Sequence, residues 1–192
     1  MPTLTDPELE SLLAPYAATT PELRGQLGIY LDLLVKWNVR TNLTAIRDPR
    51  EMVQRHFGES LFAAAILPPA ATLLDFGSGG GFPGLPMQLA HPGLRVVLAE
   101  SQNKKVAFLR EVVRSLGVRT EVWSGRVDTM PSTRLFDVVA LRAVDRPEEA
   151  AAEAWQRVAL GGSMLEFVSE ATENSISLPG RSKSFLKLTA KI

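Results

Sequence analysis

Residues 72–84 read TLLDFGSGGGFPG. Leu73 and Leu74 make a short buried strand, and the glycine cluster behind them can continue neither a strand nor a helix. Gly77, Gly79 and Gly81 form a Gly-x-Gly-x-Gly run, which lets the backbone turn with positive φ and leaves bare main chain for a ligand. Pro83, Gly84 and Pro86 then pre-set the first turn of a helix. Strand, glycine loop and helix together are the nucleotide-type pocket of an open α/β sheet.

Working outward, the pattern downstream alternates between strand and helix. A helix is expected near residues 85–91, followed by RVVLAE (95–100), a β-branched strand ending on an acid. Ser101 is the expected cap of a helix with Val106, Leu109, Val113 and Leu116 at helical spacing, closed by Gly117. VRTEVW (118–123) alternates as a strand, and FDVVALR (136–142) reads as a buried one. Pro147-Glu148-Glu149 opens a helix that Gly161-Gly162 would end. Residues 163–168 make a fifth strand, and 176–178 and 184–192 two more around a Pro179-Gly180 turn.

Upstream the chain is helical. Thr5 and Glu8 fit a capping box ahead of Leu9, Leu12, Leu13 and Tyr16 at helical spacing. A second helix starts at Thr20-Pro21-Glu22, with Leu23, Leu27, Tyr30, Leu31 and Leu34 on one stripe. WNVRTNLTAI (37–46) is polar and β-branched and reads as a structured loop. Asp48-Pro49-Arg50-Glu51 starts a third helix that runs to about Ile66 and stops at Pro68-Pro69. The expected architecture is an α/β, Rossmann-like, mostly parallel sheet over residues 69–192, with a helical N-terminal extension over 1–68 packed on it as one compact unit.

Composition removes several mechanisms. With 192 residues, 45% hydrophobic and 22% charged, the chain has the make-up of an ordinary soluble protein. The start, MPTLTDPELE, lacks the basic and apolar regions of a signal peptide, so a cytoplasmic location without membrane contact is expected. There is no cysteine, hence no disulfide and no thiolate nucleophile or metal ligand. His56 and His91 lie 35 residues apart, which argues against a histidine-based metal site. Net charge is zero, but residues 36–56 carry Lys36, Arg40, Arg47, Arg50 and Arg55 against Asp48 and Glu51. That asymmetry suits either a local polyanion contact or a solvated helix face.

Ligands in open α/β sheets bind at the carboxyl ends of the strands. The glycine loop, Glu100, the segment Gly125-Arg126-Val127-Asp128, and Arg142 should therefore meet at one site. Glu100 lies 23 residues beyond Gly77, placed to accept hydrogen bonds from ribose hydroxyls. Dinucleotide dehydrogenases share this arrangement, but their fingerprint has glycine where this chain has Phe82. Gly-x-Gly-x-Gly with Asp75 two residues ahead is the form used by S-adenosylmethionine methyltransferases. An NAD-dependent oxidoreductase and a non-catalytic RNA-binding protein stay open at this level.

Six segments in order then resemble the bacterial 16S ribosomal RNA guanine-N7 methyltransferase family, also called glucose-inhibited division protein B. They are KWNVRTNLTAIRD (36–48), RHFGESL (55–61), LLDFGSGGGFPGLP (73–86), ESQNKKVAFL (100–109), GRVD (125–128) and LRAV (141–144). The resemblance implies S-adenosylmethionine as cofactor and a guanine of small-subunit rRNA, free or in a ribosomal particle, as substrate; another RNA methyltransferase is the alternative. By the same resemblance, Gly77, Phe82 and the glycines Gly79 and Gly81 would touch the cofactor, Glu100 its ribose, and Val127 and Asp128 its adenine. Arg142 would sit by the reaction centre in a positioning role and touch the cofactor, while Asn42, Arg47 and His56 would face the RNA. Guanine N7 carries a free lone pair, so no general base is expected. A monomer is expected. After Val168 the chain departs from the family pattern, which has a longer segment and another helix there.

Each residue has a plainer reading. His56 alone would be a half-buried surface residue and Arg142 a partner for a carboxylate. Lys104 and Lys105 could be a solvated helix start, Phe82 loop packing, and Trp37 and Trp155 core residues.

Overall fold

The computed structural model describes residues 2–144, 146–180 and 183–192. Seven strands are described: β1 (Thr72–Phe76), β2 (Arg95–Glu100), β3 (Glu121–Ser124), β4 (Phe136–Arg142), β5 (Val158–Val168), β6 (Ser175–Ser177) and β7 (Phe185–Ala190). They form one sheet of order β3-β2-β1-β4-β5-β7-β6. The first five are parallel, and β7 and β6 close the edge as an antiparallel hairpin. Strand order reverses between β1 and β4, which opens a crevice at the carboxyl end of β1.

Alternation along the strands assigns the helices to faces. Leu73, Val96, Leu98, Val138 and Leu165 point to one side. There they pack under α1 (Asp6–Leu13), α2 (Pro21–Thr41), α3 (Pro49–Met52), α4 (Glu59–Ile66), α5 (Gly84–Ala90) and α6 (Asn103–Leu116). Leu74, Val97, Val139 and Met164 point the other way, against α7 (Pro147–Arg157) and a 3-10 turn at Val127–Thr129. The N-terminal helices share one apolar cluster with the sheet: Leu27, Leu31, Leu34 and Phe57 lie in it with Leu73 and Leu98.

The capping box at Thr5, the Thr20 and Asp48 caps, and β1, β2 and β4 form as expected. Other boundaries move, each for a local reason. Helix α2 does not give way to loop at Trp37 but runs to Thr41, where Asn42 takes the left-handed cap at φ 49°. Trp37 packs on Phe108 of α6, 5.8 Å between ring centroids, and such packing outweighs weak propensity. Ser101 is not the cap of α6; Gln102 holds that position, and the Glu100 carboxylate accepts its N–H at 2.8 Å. β3 starts at Glu121, because the Val118 N–H returns to Val113 O and closes the Gly117 cap. Finally, α7 ends at Arg157, and Gly161-Gly162 lie inside β5. Register passes from Phe136 opposite Val158 to Val138 opposite Ser163, so the glycines form a bulge. A Cβ at Gly162 would fall 2.7 Å from Asp137 O.

The helix beginning at Pro49 does reach Ile66, but through a π-helical turn at Val53–Gly58. Such turns often occur at functional sites. No helix among the described residues is long and apolar enough to cross a membrane.

Candidate functional site

The glycine loop leaves β1 with Gly77 at φ 72° and Gly81 at φ 89°, conformations that an L side chain adopts only at a cost. Ser78 N–H donates to Ala99 O at 2.9 Å, and Gly79 N–H donates to Glu100 Oε2 at 3.0 Å. Glu100 thus joins the loop to β2 with one carboxylate oxygen and starts α6 with the other. Beneath the loop Asp75 is buried; its Oδ2 accepts the Gly84 N–H at 2.9 Å, while its Oδ1 has no partner among the described residues.

Beside this loop a cavity of about 280 Å³ brings Gly77, Glu100 and Val127 together. Ser101, Arg126, Arg146, Glu149 and Glu153 add the rest of its polar wall. The Val127 turn is held from behind by Arg157, which sequence reading missed. Its Nη2 donates to Val127 O and Met130 O at 2.9 Å each, and Nη1 to Pro131 O at 2.7 Å. An arginine on the last turn of α7 gave no sequence signal, since its three acceptors are backbone carbonyls. Glu153 was also missed; it lines the cavity, and its Oε1 is buried without a hydrogen-bond partner among the described residues. Asp128 is exposed and pairs with Arg126 at 3.0 Å.

Gly79, Gly81, Phe82, Asp128 and Arg142 do not line this cavity. The buried Phe82 ring stacks on Tyr30, 5.2 Å away and 3° from parallel, with His56 at 4.7 Å and Phe57 edge-on at 5.2 Å. Tyr30 Oη donates to Gly80 O. The N-terminal helices therefore hold the loop from outside. His56 Nε2 also meets Thr44 Oγ1 at 2.8 Å, linking the π-helical turn to the segment before α3. Asn42 and Arg47 are exposed in that segment and bond to each other, Arg47 Nη2 donating to Asn42 Oδ1 at 3.0 Å.

Arg142, at the end of β4, does pair with a carboxylate. Its Nη2 donates at 2.6 Å to both Glu59 Oε2 and Arg55 O, and the guanidinium lies 4.7 Å from the Phe167 ring centre. Nη1 is buried and has no hydrogen-bond partner among the described residues. Sequence reading offered a carboxylate partner for Arg142 without naming it; Glu59, within the RHFGESL segment, is that partner.

Burial pushes Asp75 up to about 7, and burial together with Arg142 and Arg55 pulls His56 down to about 3. These shifts act oppositely on stability. Between pH 3 and 6.5 the unfolded chain binds the histidine proton more strongly, so His56 makes stability rise with pH. Between 3.8 and 7 the folded chain holds the Asp75 proton more strongly, so Asp75 makes stability fall with pH. His56→Asn is expected to uncover the Asp75 effect: urea unfolding should give stability falling by about 1 kcal/mol per pH unit across that window. A variant profile parallel to that of the wild type would refute the assignment.

Solved structures share the fold. The C-terminal domain of precorrin-6Y C5,15-methyltransferase from Rhodobacter capsulatus aligns at TM-score 0.51 and 14% identity, covering 67% of this chain and 85% of that one. P. horikoshii TYW2 in complex with MeSAdo aligns at TM-score 0.56 and 15% identity, covering 70% and 61%. Reversing strand order, glycine loop and acid at the end of β2 define a Rossmann-like nucleotide-binding sheet, and the family that the sequence matches makes the class an S-adenosylmethionine-dependent methyltransferase. The family model for rRNA small subunit methyltransferase G (GidB) matches residues 24–190, and the chain belongs to that family. The Ribosomal RNA small subunit methyltransferase G of Xanthomonas campestris pv. campestris (strain B100) is 40% identical over 159 residues, covering 82% of this chain and 71% of that protein. Its counterpart in Stenotrophomonas maltophilia (strain K279a) is 44% identical over 140 residues, covering 71% and 60%.

Proposed function

We propose that this protein transfers the methyl group of S-adenosylmethionine to N7 of a guanine in 16S rRNA, acting in the cytoplasm as a monomer. The observation that carries this reading is the cavity at the strand ends, where Glu100, Gly77 and the Val127 turn converge in a chain of the rRNA small subunit methyltransferase G family. Its groups fit the cofactor. Glu100 offers a carboxylate to the ribose hydroxyls, and the partnerless Glu153 Oε1 offers an acceptor to the adenine amine. Val127 would lie against the adenine, with Asp128 at its rim. Gly77, Gly79 and Gly81 shape the loop, and Phe82 fixes it through Tyr30 and His56.

When bound, S-adenosylmethionine supplies a methyl group on sulfonium sulfur, which the guanine N7 lone pair can take without prior deprotonation. The chain's task is then alignment and exclusion of water rather than proton transfer. Arg142 would act by positioning, its free Nη1 donating to an oxygen of the bound groups. Residues 1–68 would cap the crevice, with Asn42 and Arg47 outward and His56 inward. A monomer accords with the scatter of large exposed apolar residues: Ile29 and Val39 lie ten positions apart on α2, Leu135 just before β4 and Leu160 in β5.

Glu100→Ala should weaken S-adenosylmethionine binding by about 1–3 kcal/mol, the worth of hydrogen bonds to a charged group. Calorimetry checks this, and an unchanged affinity would remove Glu100 from the ribose site. For the substrate, tritiated methyl groups should pass to protein-free small-subunit rRNA or to the assembled particle. Label in neither would overturn the proposed reaction.

A further inference from the structure

Away from the cavity, α2 and α6 enclose a groove of about 680 Å³. From α2 it takes Lys36, Trp37, Val39 and Arg40, and from α6 Lys104 and Glu111. Val39 is 82% exposed and forms the ridge toward a second groove that reaches Arg47. Three cations border an apolar floor. Among the described residues, the side chains of Lys36, Arg40 and Lys104 have no hydrogen-bond or ion-pair partner. Arginines elsewhere in the N-terminal segment differ: Arg24, Arg50 and Arg55 each meet carboxylates.

We infer that this groove is a docking surface for single-stranded RNA, with phosphates on Lys36, Arg40 and Lys104 and bases packed over Trp37 and Val39. The inference rests on the rRNA reading above and extends it to a named surface. Charge complementarity commits the groove to a polyanion, since like charges at i and i+4 on α2 repel until neutralised. An aromatic flanked by cations further suits unpaired bases, which stack on aromatic rings without sequence preference. Position supports the same occupant. Lys104 lies one turn beyond Glu100, at the end of the sheet where the crevice opens. From Arg40 the exposed surface continues through Asn42 to Arg47, and beneath it Thr44 bonds His56, whose ring stacks on the buried Phe82, so a strand crossing the groove is led toward the glycine loop.

The test compares two triple charge reversals by fluorescence anisotropy with labelled, protein-free small-subunit rRNA. One is Lys36→Glu/Arg40→Glu/Lys104→Glu. The control is Arg95→Glu/Arg114→Glu/Arg119→Glu, whose exposed residues sit toward the amino ends of β2 and β3. The groove variant should lose about tenfold or more in RNA affinity, and its salt slope should shrink by about 2, the effect of three phosphate contacts on a single strand. Val39→Asp should weaken RNA binding in the same direction. S-adenosylmethionine affinity and melting temperature should stay at wild-type values, which separates lost docking from misfolding. Wild-type RNA affinity in the groove variant would overturn the inference, as would an equal loss in the control. A loss seen only with assembled particles would overturn it too, by pointing to a ribosomal protein. A wild type that binds no small-subunit RNA would instead remove the rRNA reading and this surface together.

Discussion

Gly81→Ala is expected to destabilise the fold by about 3 kcal/mol and to weaken cofactor binding. A Cβ there would overlap Tyr30 Oη and approach Leu109 Cδ2 to 3.1 Å, at a backbone φ of +89°. Overpacking costs about 1–3 kcal/mol and a left-handed L residue about 1–2. The tyrosine cannot retreat, because it is fully buried in the stack with Phe57 and Phe82 and donates to Gly80 O. The strain should therefore pass into the loop, moving Gly79 relative to Glu100. Gly25→Ala is the matched control: in α2, with nothing within 4 Å of the added methyl, it should stabilise by about 0.5–1 kcal/mol. Urea unfolding reads both. A Gly81→Ala cost below about 0.5 kcal/mol would mean that the loop is not held by Tyr30.

Removing Glu59 should cost about 3–5 kcal/mol, the usual result of stranding a buried charge. The Glu59 and Arg142 side chains are 4% and 11% exposed and meet at 2.6 Å. Arg55 also lies near, its charge adding to the burial that already disfavours the charged Arg142. Without Glu59, two guanidinium groups would face each other. A double-mutant cycle separates this from lost packing: Glu59→Ala should cost far less in an Arg142→Met background. Equal costs in both backgrounds would show that the ion pair does not carry the stability of this corner.

Much of the fold was legible because local and tertiary signals agreed. Leu73 and Leu74 point to opposite faces and both are buried, so a continuous apolar pair before glycine could be only a central strand. The misread boundaries lie where tertiary contacts overruled local preference. Trp37 continued α2 by packing on Phe108, and the Gly161-Gly162 pair looked like a helix stop but serves a bulge in β5. For the site, strand-end reasoning brought Gly77, Glu100 and Val127 to one cavity. It left open whether Phe82 meets the cofactor or packs the loop, because the surface that receives its ring, around Tyr30, comes from a helix some fifty residues earlier in the chain. Arg157 and Glu153 were invisible for a related reason: neither lies at a strand end, and only the packing of α7 brings them near the Val127 turn.

The central claim is methyl transfer to guanine N7, and N7-methylguanosine leaves a base that reduction and aniline convert to a strand break. Unmethylated small subunits and protein-free 16S rRNA are incubated with the enzyme and S-adenosylmethionine, treated in this way, and mapped by primer extension. A new stop at one guanine, dependent on both enzyme and cofactor, is the predicted result. Methyl incorporation without any break would place the methyl on another atom and contradict the account.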